Sequence, residues 1–175
     1  KEDIRNFTKL NIKNIDIIIH LANVANDPTV ELNPTLSWEI NVLCSKIIAD
    51  YAIKNKVKKI IFLSSGSVYG VKKENKVTED LKLNPISVYN KTKMVSERVF
   101  LSYKNDIDIK CIRPATVCGL SERLRLDLTV NKLTFDGFYK NRIVVNGGDQ
   151  IRPNVNISDL IRAIDHFIFT RNTFK

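Results

Sequence analysis

Glycine is sparse in this chain, with six in 175 residues, at positions 66, 70, 119, 137, 147 and 148. None falls in a GxxGxxG turn, the arrangement that presents helix N-terminal amides to a dinucleotide pyrophosphate. Cysteine is rarer. Cys44, Cys111 and Cys118 are odd in number and nowhere spaced as CxxC. That argues against a disulfide framework or a metal centre and for a reducing, cytoplasmic setting. Long apolar runs are missing too. The stretch 15–22 is interrupted by Asp16 and His20, and 60–63 falls far short of the ~20 residues that a membrane-spanning helix needs. No membrane association is expected. Internal repeats and low-complexity linkers are absent, and 175 residues suit one domain, or one domain and part of another, around a real core.

What is abundant is positive charge. Twenty-eight Lys and Arg against 19 Asp and Glu leave a formal net charge of +9. Such a balance first suggests nucleic acid. The lysines are scattered, however, as at 54, 56, 58, 59 and at 72, 73, 76, without interleaved aromatics on which bases could stack. High Lys, Ile and Asn (19, 22 and 18) is also the bias of an A+T-rich genome. An anionic small-molecule ligand would favour a positive cleft equally well. No nucleic-acid partner is expected.

Apolar patterning supplies the fold class. NIDIIIHLA (14–22), KKIIFLSS (58–65) and DIKCIRPA (108–115) are short, mostly apolar runs bounded by polar residues, which read as buried strands. Between the first two, Asn33-Pro34 gives an N-cap and a first-turn proline. Leu36, Ile40, Leu43, Ile47 and Tyr51 follow as one helical stripe running to about Lys54. Between the second and third, Ser87 caps a helix that carries Val88, Val95 and Val99 and runs to about Tyr103. Strands without polar alternation, separated by helices, predict a doubly wound parallel α/β sheet covered on both faces. Further along, a helix is expected around 126–139, a strand at 143–145 and a last helix from Ser158 to about Thr170.

Two segments share a pattern: SVYGVKK (67–73) and SVYNKTK (87–93), each with a lysine four residues after its tyrosine. With 19 lysines in the chain, that spacing is a common accident. Context separates the two. Tyr69 falls in a loop, where an offset of four does not bring side chains together. Tyr89 falls in the first turn of a predicted helix, where residues four apart lie one above the other. A lysine cation there favours the phenolate and makes the tyrosine a usable acid or base. Ser64 and Ser65, at the carboxyl end of the preceding strand, lie where open parallel sheets bind ligands. Strand-end serines are also common turn residues; it is the combination that points to a site. His20 and His166 read as structural, and no role falls to the cysteines.

With SSGSVYG (64–70) and PISVYNKTKMVSE (85–97) in place, the sequence resembles the extended short-chain dehydrogenase/reductase superfamily. Within it, the likeness is to the NAD-dependent sugar-nucleotide epimerase/dehydratase family. EDIRN (2–6), DIIIHLANVAND (16–27), EINV (39–42), IRPATVCG (112–119) and GGDQIRPNVNISDL (147–160) are similar to further family segments, in order and at family spacing. The resemblance implies that Ser65 hydrogen-bonds the sugar oxygen being oxidised and that Tyr89 takes or returns its proton. Lys93 would tune Tyr89 and bind the nicotinamide ribose. Asp3 and Ile4 would contact the adenine. Leu21, Ala22, Asn23, Ser64 and Ala115 would line the cofactor, with Asn41 supporting the site from its helix. Ser67 and Thr116 would touch the sugar, and Arg152 would clamp the nucleotide diphosphate, a task suited to a guanidinium fork. Arg123 and Arg125 are candidates to add to that clamp.

The resemblance also implies what is missing. Family members begin with a strand, a glycine-rich turn and a helix, and they run on past the position of residue 175. The chain is therefore expected to be an internal part of a longer protein, with a partial Rossmann-like sheet lacking its first strands and part of a small substrate-binding region. Residues 1–118 and 151–175 would belong to the Rossmann-like domain and 119–150 to the substrate region. With the family strand order 3-2-1-4-5-6, the strand near 15–20 becomes an unpaired edge, and the chain alone would bind NAD poorly. Asn23, Asn156 and Thr116 depart from common family residues and bear on substrate detail.

NAD is the implied cofactor, with NADP not excluded, and a nucleotide sugar is the implied substrate of a parent protein that forms a homodimer. Family dehydratases carry an Asp-Glu pair directly after the active-site Ser or Thr. Here Gly66 and Ser67 stand in those places and supply no such acid and base. Epimerisation through transient oxidation is the expected reaction. A sugar-nucleotide reductase or dehydrogenase needs the same three residues, and an inactive or cofactor-sensing relative is a further alternative.

Overall fold

The computed structural model describes residues 3–10 and 14–170. Glu2 of the EDIRN stretch and the last five residues of the expected 151–175 segment lie outside the described residues. Asp3 opens a 3-10 turn over Ile4–Lys9 by accepting a hydrogen bond from the Arg5 amide. Strand β1 (Ile17–His20) follows, then two short helices, α1 (Asp27–Leu32) and α2 (Pro34–Trp38). Asn26 and Asn33 cap these helices through their side chains, and each has a proline in its first turn. A π-helical turn over Glu39–Leu43 leads into α3 (Cys44–Lys54). Strand β2 (Lys59–Leu63), a 3-10 turn at Gly66–Tyr69, helix α4 (Val88–Ser102) and strand β3 (Asp108–Ile112) complete this part of the fold. After them come β4 (Thr116–Cys118), α5 (Thr129–Lys140), β5 (Asn154–Asn156) and α6 (Ile157–Phe169).

The chain divides into two compact units, Lys1–Arg113 with Phe167–Lys175, and Pro114–His166. In the first, β1, β2 and β3 form a parallel sheet in that order, with Ile18 opposite Ile60 and Ile109 opposite Ile60 on its other side. The expected parallel α/β architecture is therefore present, and β1 has a neighbour on one side only among the described residues. In the second, β4 and β5 form a separate parallel pair. No helix among the described residues is long and apolar enough to cross a membrane.

Strand alternation sends Ile60 and Phe62 of β2 to one face, where they join Cys44, Ile48, Ala49 and Ala52 of α3, Phe100 of α4 and Ile109 of β3. Each large apolar side chain buried there contributes about 1.5–3 kcal/mol. Lys59 and Ile61 of β2 are also buried, so this strand is covered on both faces. Lys59 is apolar along most of its length but ends in a cation that must be satisfied. Its Nζ donates to the backbone oxygens of Phe167, Ile168 and Thr170, at 2.7, 3.0 and 2.6 Å, and lies 3.5 Å from Asp108. A cation at a helix C-terminus meets both the unpaired carbonyls and the negative end of the dipole.

Two sequence expectations require correction. The stripe Leu36, Ile40, Leu43, Ile47 and Tyr51 is not the buried face: Leu43 is 54% exposed, and none of the five is fully buried. The face that packs inward runs through Ser37, Asn41, Cys44, Ser45, Ile48, Ala49 and Ala52. Small side chains allow close approach to α4, and the π turn, where the Cys44 amide bonds Glu39 O, shifts the helical phase. The second correction concerns 143–145. It is no strand; its three residues are more than half exposed, and β4 pairs instead with β5 at 154–156, which the apolar pattern does not mark. The last two helices fall close to the expected spans.

Replacing Lys59 by Met keeps the stem and removes the cation. Losing charge-assisted hydrogen bonds of this kind should lower stability by about 2 kcal/mol. Denaturant unfolding reads the loss, and hydrogen exchange should quicken first at 167–170.

Candidate functional site

The carboxyl end of β2 and the first two turns of α4 converge. Ser87 accepts the Asn90 amide and caps α4, so that Tyr89 and Lys93 occupy successive turns of one face. Lys93 is only 4% exposed. Its Nζ donates to Leu63 O at 2.7 Å, and lies 4.9 Å from the Phe62 ring centroid and 5.9 Å from that of Tyr89. Burial pushes the ammonium down to about 8, opposed by the Glu97 carboxylate one turn further along the helix. Ser65, the cap of the 3-10 turn, shares a hydrogen bond with Ser67 at 2.8 Å, and Ser67 Oγ donates to Asn90 Oδ1 at 2.5 Å. Ser65, Ser67, Tyr89 and Lys93 thus gather at one strand end.

The other sequence-predicted residues differ in burial and bonding. Ser64 is buried at the end of β2, with its hydroxyl unpartnered. Leu21 and Ala22, just after β1, are exposed, and Asn23 is half-buried with an unpartnered Oδ1. Asn41 is fully buried and works behind the surface. It accepts from the Val24 amide and donates to Val24 O and Thr92 Oγ1, at 2.8, 3.1 and 3.0 Å. Its backbone oxygen accepts from Ser45 and Ser96. Asp3 and Ile4 start the first 3-10 turn; an ion pair with Arg5 lowers the Asp3 carboxyl to about 2. Ala115 and Thr116 are half-buried and Arg152 exposed, all three in the second unit. In that unit a shallow cavity is lined by Arg123, Arg125, Ser121, Asn131 and Cys118.

Sequence reasoning missed the groups that hold the serine turn. Arg113, just past β3, forms a fork on Glu97, with Nε 3.0 and 3.1 Å from its oxygens and Nη2 at 2.7 Å. Its Nη1 donates to Tyr69 Oη at 2.7 Å, with the guanidinium 4.9 Å from the Tyr69 ring centroid. Glu97 is 1% exposed. The ion pair raises the guanidinium above its ordinary range. Tyr69, which the spacing argument set aside as chemistry, is therefore a structural anchor. Beyond it, Gly70 adopts φ +70°, and a Cβ there would stand 2.1 Å from Asn84 O. Only glycine fits.

His20 was read as structural, and its surroundings agree. It is buried, stacked on Phe62 at 5.5 Å between centroids and edge-on to Phe100 at 5.7 Å, with Nε2 unpartnered. Burial, and secondarily the Lys93 charge, push it down to about 4.

A parallel α/β sheet with serine, tyrosine and lysine gathered at its carboxyl edge defines a Rossmann-like domain of the short-chain dehydrogenase/reductase type. The chain belongs to the NAD dependent epimerase/dehydratase family, whose model matches residues 2–173. A putative UDP-glucose 4-epimerase of Methanocaldococcus jannaschii is 31% identical over 160 residues, 89% of this chain and 52% of that protein. Among solved structures, a Bacillus cereus UDP-glucuronic acid 4-epimerase, in complex with UDP-glucuronic acid and NAD, superimposes with a TM-score of 0.79. It is 27% identical, with 98% of this chain and 54% of that one covered. MoeE5, in complex with UDP-glucose and NAD, gives 0.84 at 25% identity, covering 99% and 59%. The chain spans about half the length of the curated relatives it matches.

Two measurements follow. Arg113→Met leaves a buried carboxylate unpaired and should cost about 3 kcal/mol, most of which Glu97→Leu in the same chain should restore; denaturant titration decides. His20 is neutral when folded, whereas in the unfolded chain it titrates near 6.5. Its contribution is present above about pH 6.5 and is lost as pH falls towards about 4. Between pH 8 and pH 5, the wild type should lose about 2 kcal/mol more than His20→Leu.

Proposed function

We propose that the protein carrying this chain is an NAD-dependent nucleotide-sugar epimerase. The observation that carries the reading is the gathering of Ser65, Tyr89 and Lys93 at the end of β2, in a chain of this family. The residues present fit the cofactor. Ser64 Oγ and Asn23 Oδ1 are buried polar atoms without partners, and Lys93 keeps further N–H groups beyond the one bonded to Leu63 O. Lys93 and Ala115 would meet the nicotinamide end, with Leu21, Ala22, Asn23 and Ser64 lining the cofactor and Asp3 and Ile4 at the adenine. Bound NAD supplies the acceptor and donor of hydride.

The protein residues then handle the proton. Tyr89 takes it from the sugar hydroxyl as that carbon is oxidised, and Lys93 stabilises the phenolate from the next turn. Ser65 holds the reacting oxygen. When the keto sugar presents its other face, Tyr89 returns the proton. Thr116 and Ser67 would touch the sugar and Arg152 the diphosphate, with Arg123 and Arg125 as further candidates. Residues 1–118 and 151–175 are assigned to the cofactor half and 119–150 to the sugar half. Gly66 and Ser67, in place of an acid–base pair, weigh against dehydration. Reduction or oxidation without epimerisation uses the same three residues and is the second reading. A homodimer in the cytoplasm is the expected form of the whole protein.

The test is Tyr89→Phe in the protein made from its complete gene, with UDP-glucose and UDP-glucuronic acid as trial substrates. Formation of the 4-epimer should fall about a hundredfold or more, while equilibrium binding of the nucleotide sugar persists. Unchanged turnover would sink the enzymatic reading.

A further inference from the structure

Ser65 caps the 3-10 turn Gly66–Tyr69 and Tyr89 rides on α4, so their relative placement depends on what ties the turn to the helix. One tie is at the front of the turn, where Ser67 Oγ donates to Asn90 Oδ1. The other starts from its last residue. Tyr69 is buried, and its Oη accepts from Arg113 Nη1 at 2.7 Å, with the guanidinium 4.9 Å from the ring centroid. The rest of the guanidinium is forked on Glu97. Glu97 follows Tyr89 and Lys93 at offsets of four, so all three stand along one stripe of α4. Just beyond Tyr69 the chain turns away at Gly70, and the Asn84 amide closes the base of the following loop on Val68 O at 3.1 Å. Burial of a phenol hydroxyl is costly without a partner. A phenylalanine ring would fill the same space, so the use of the hydroxyl is the bridge to Arg113.

We infer that Tyr69 is a positioning residue: through Arg113 and Glu97, its hydroxyl fixes the Ser65 turn against the helix that carries Tyr89. This deepens the epimerase reading and rests on it. Arg113 suits the task because its planar fork holds two partners at fixed angles and keeps its charge. A sugar oxygen held by Ser65 is thereby kept in register with the Tyr89 phenol, and a displacement of ~1 Å is enough to slow such a step. Without the bridge the turn loses its rear hold and can swing about the Ser67–Asn90 bond. The tyrosine of SVYGVKK thus serves the reaction without exchanging a proton, through an arginine rather than through Lys73.

Tyr69→Phe in the protein made from its complete gene decides, assayed with UDP-glucose and UDP-glucuronic acid and with stability measured alongside. Per folded molecule, kcat for the 4-epimer should fall about tenfold. KM and the affinity for NAD should stay within about twofold of the wild type. A role in stability alone would leave kcat per folded molecule unchanged. In a Ser65→Ala background the same change should slow turnover no further, because Tyr69 acts through Ser65. Arg113→Lys keeps a charge on Glu97 but has no fork to reach both partners. It should reproduce the loss in kcat, and it carries the measurement where Tyr69→Phe fails to fold. Wild-type kcat in these variants, a loss that lies in KM, or a further tenfold loss in the Ser65→Ala background overturns the inference alone. If the wild type turns over neither sugar nucleotide, the functional reading falls and the inference with it.

Discussion

Lys93 and Glu97 stand one turn apart on a helix face that is almost sealed from water, and burying two ionisable groups is costly unless each is answered. Most of what surrounds the site is that answer. Lys93 finds the carbonyl at the end of β2, which locks the helix against the strand end where Ser64 and Ser65 sit. Glu97 finds the fork of Arg113, which locks the same helix to the end of β3. Arg113 then reaches Tyr69 and so holds the serine turn from behind. Remove either charge and the remaining one is stranded. The geometry of the serine turn thus depends on an ion pair placed behind it.

The packing of α4 against its neighbouring helix follows from the same constraint. Because α4 buries Thr92 and Ser96 as well as its charges, the opposing surface has to supply hydrogen bonds, and a leucine stripe could not. Asn41 supplies them from within the π turn, reaching Thr92 with its amide and Ser96 with its backbone oxygen. The π turn widens the helix where that carbonyl is needed. Asn41 also grips both backbone atoms of Val24, so the segment after β1 is tied to the same hub.

This explains which parts of the fold could be read in advance. The three central strands were legible because isoleucine-rich runs of strand length, bounded by polar residues, have few other solutions. The start of α4 was legible because Ser87 caps it, and with it the contrast between Tyr89 and Tyr69. The inward face of the helix before β2 was not. Apolar periodicity points to Leu43, whereas the packing is decided by small polar side chains that carry no hydrophobic signal. Glu97 and Arg113 were equally invisible. They are 16 residues apart, of types that normally face solvent, and only the sheet brings them together. The strand pairing of 154–156 is formed by two asparagines and one valine, which no strand pattern announces, whereas the valines and isoleucine at 143–145 announce a strand that has no partner.

The charge state of the site has its own logic. Burial already lowers Lys93 to about 8, close to where it would lose the charge that its proposed role beside Tyr89 requires. A second cation beside it would lower it further. His20, whose own charge the Lys93 ammonium opposes, would be such a cation, and burial among Phe62 and Phe100 keeps it neutral down to about pH 4. Glu97 pulls in the other direction while it is held in the fork of Arg113. The aromatic stack and the ion pair therefore act together. One keeps a second positive charge away from Lys93, the other holds in place the carboxylate that favours its ammonium, the form the proposed role of Tyr89 requires.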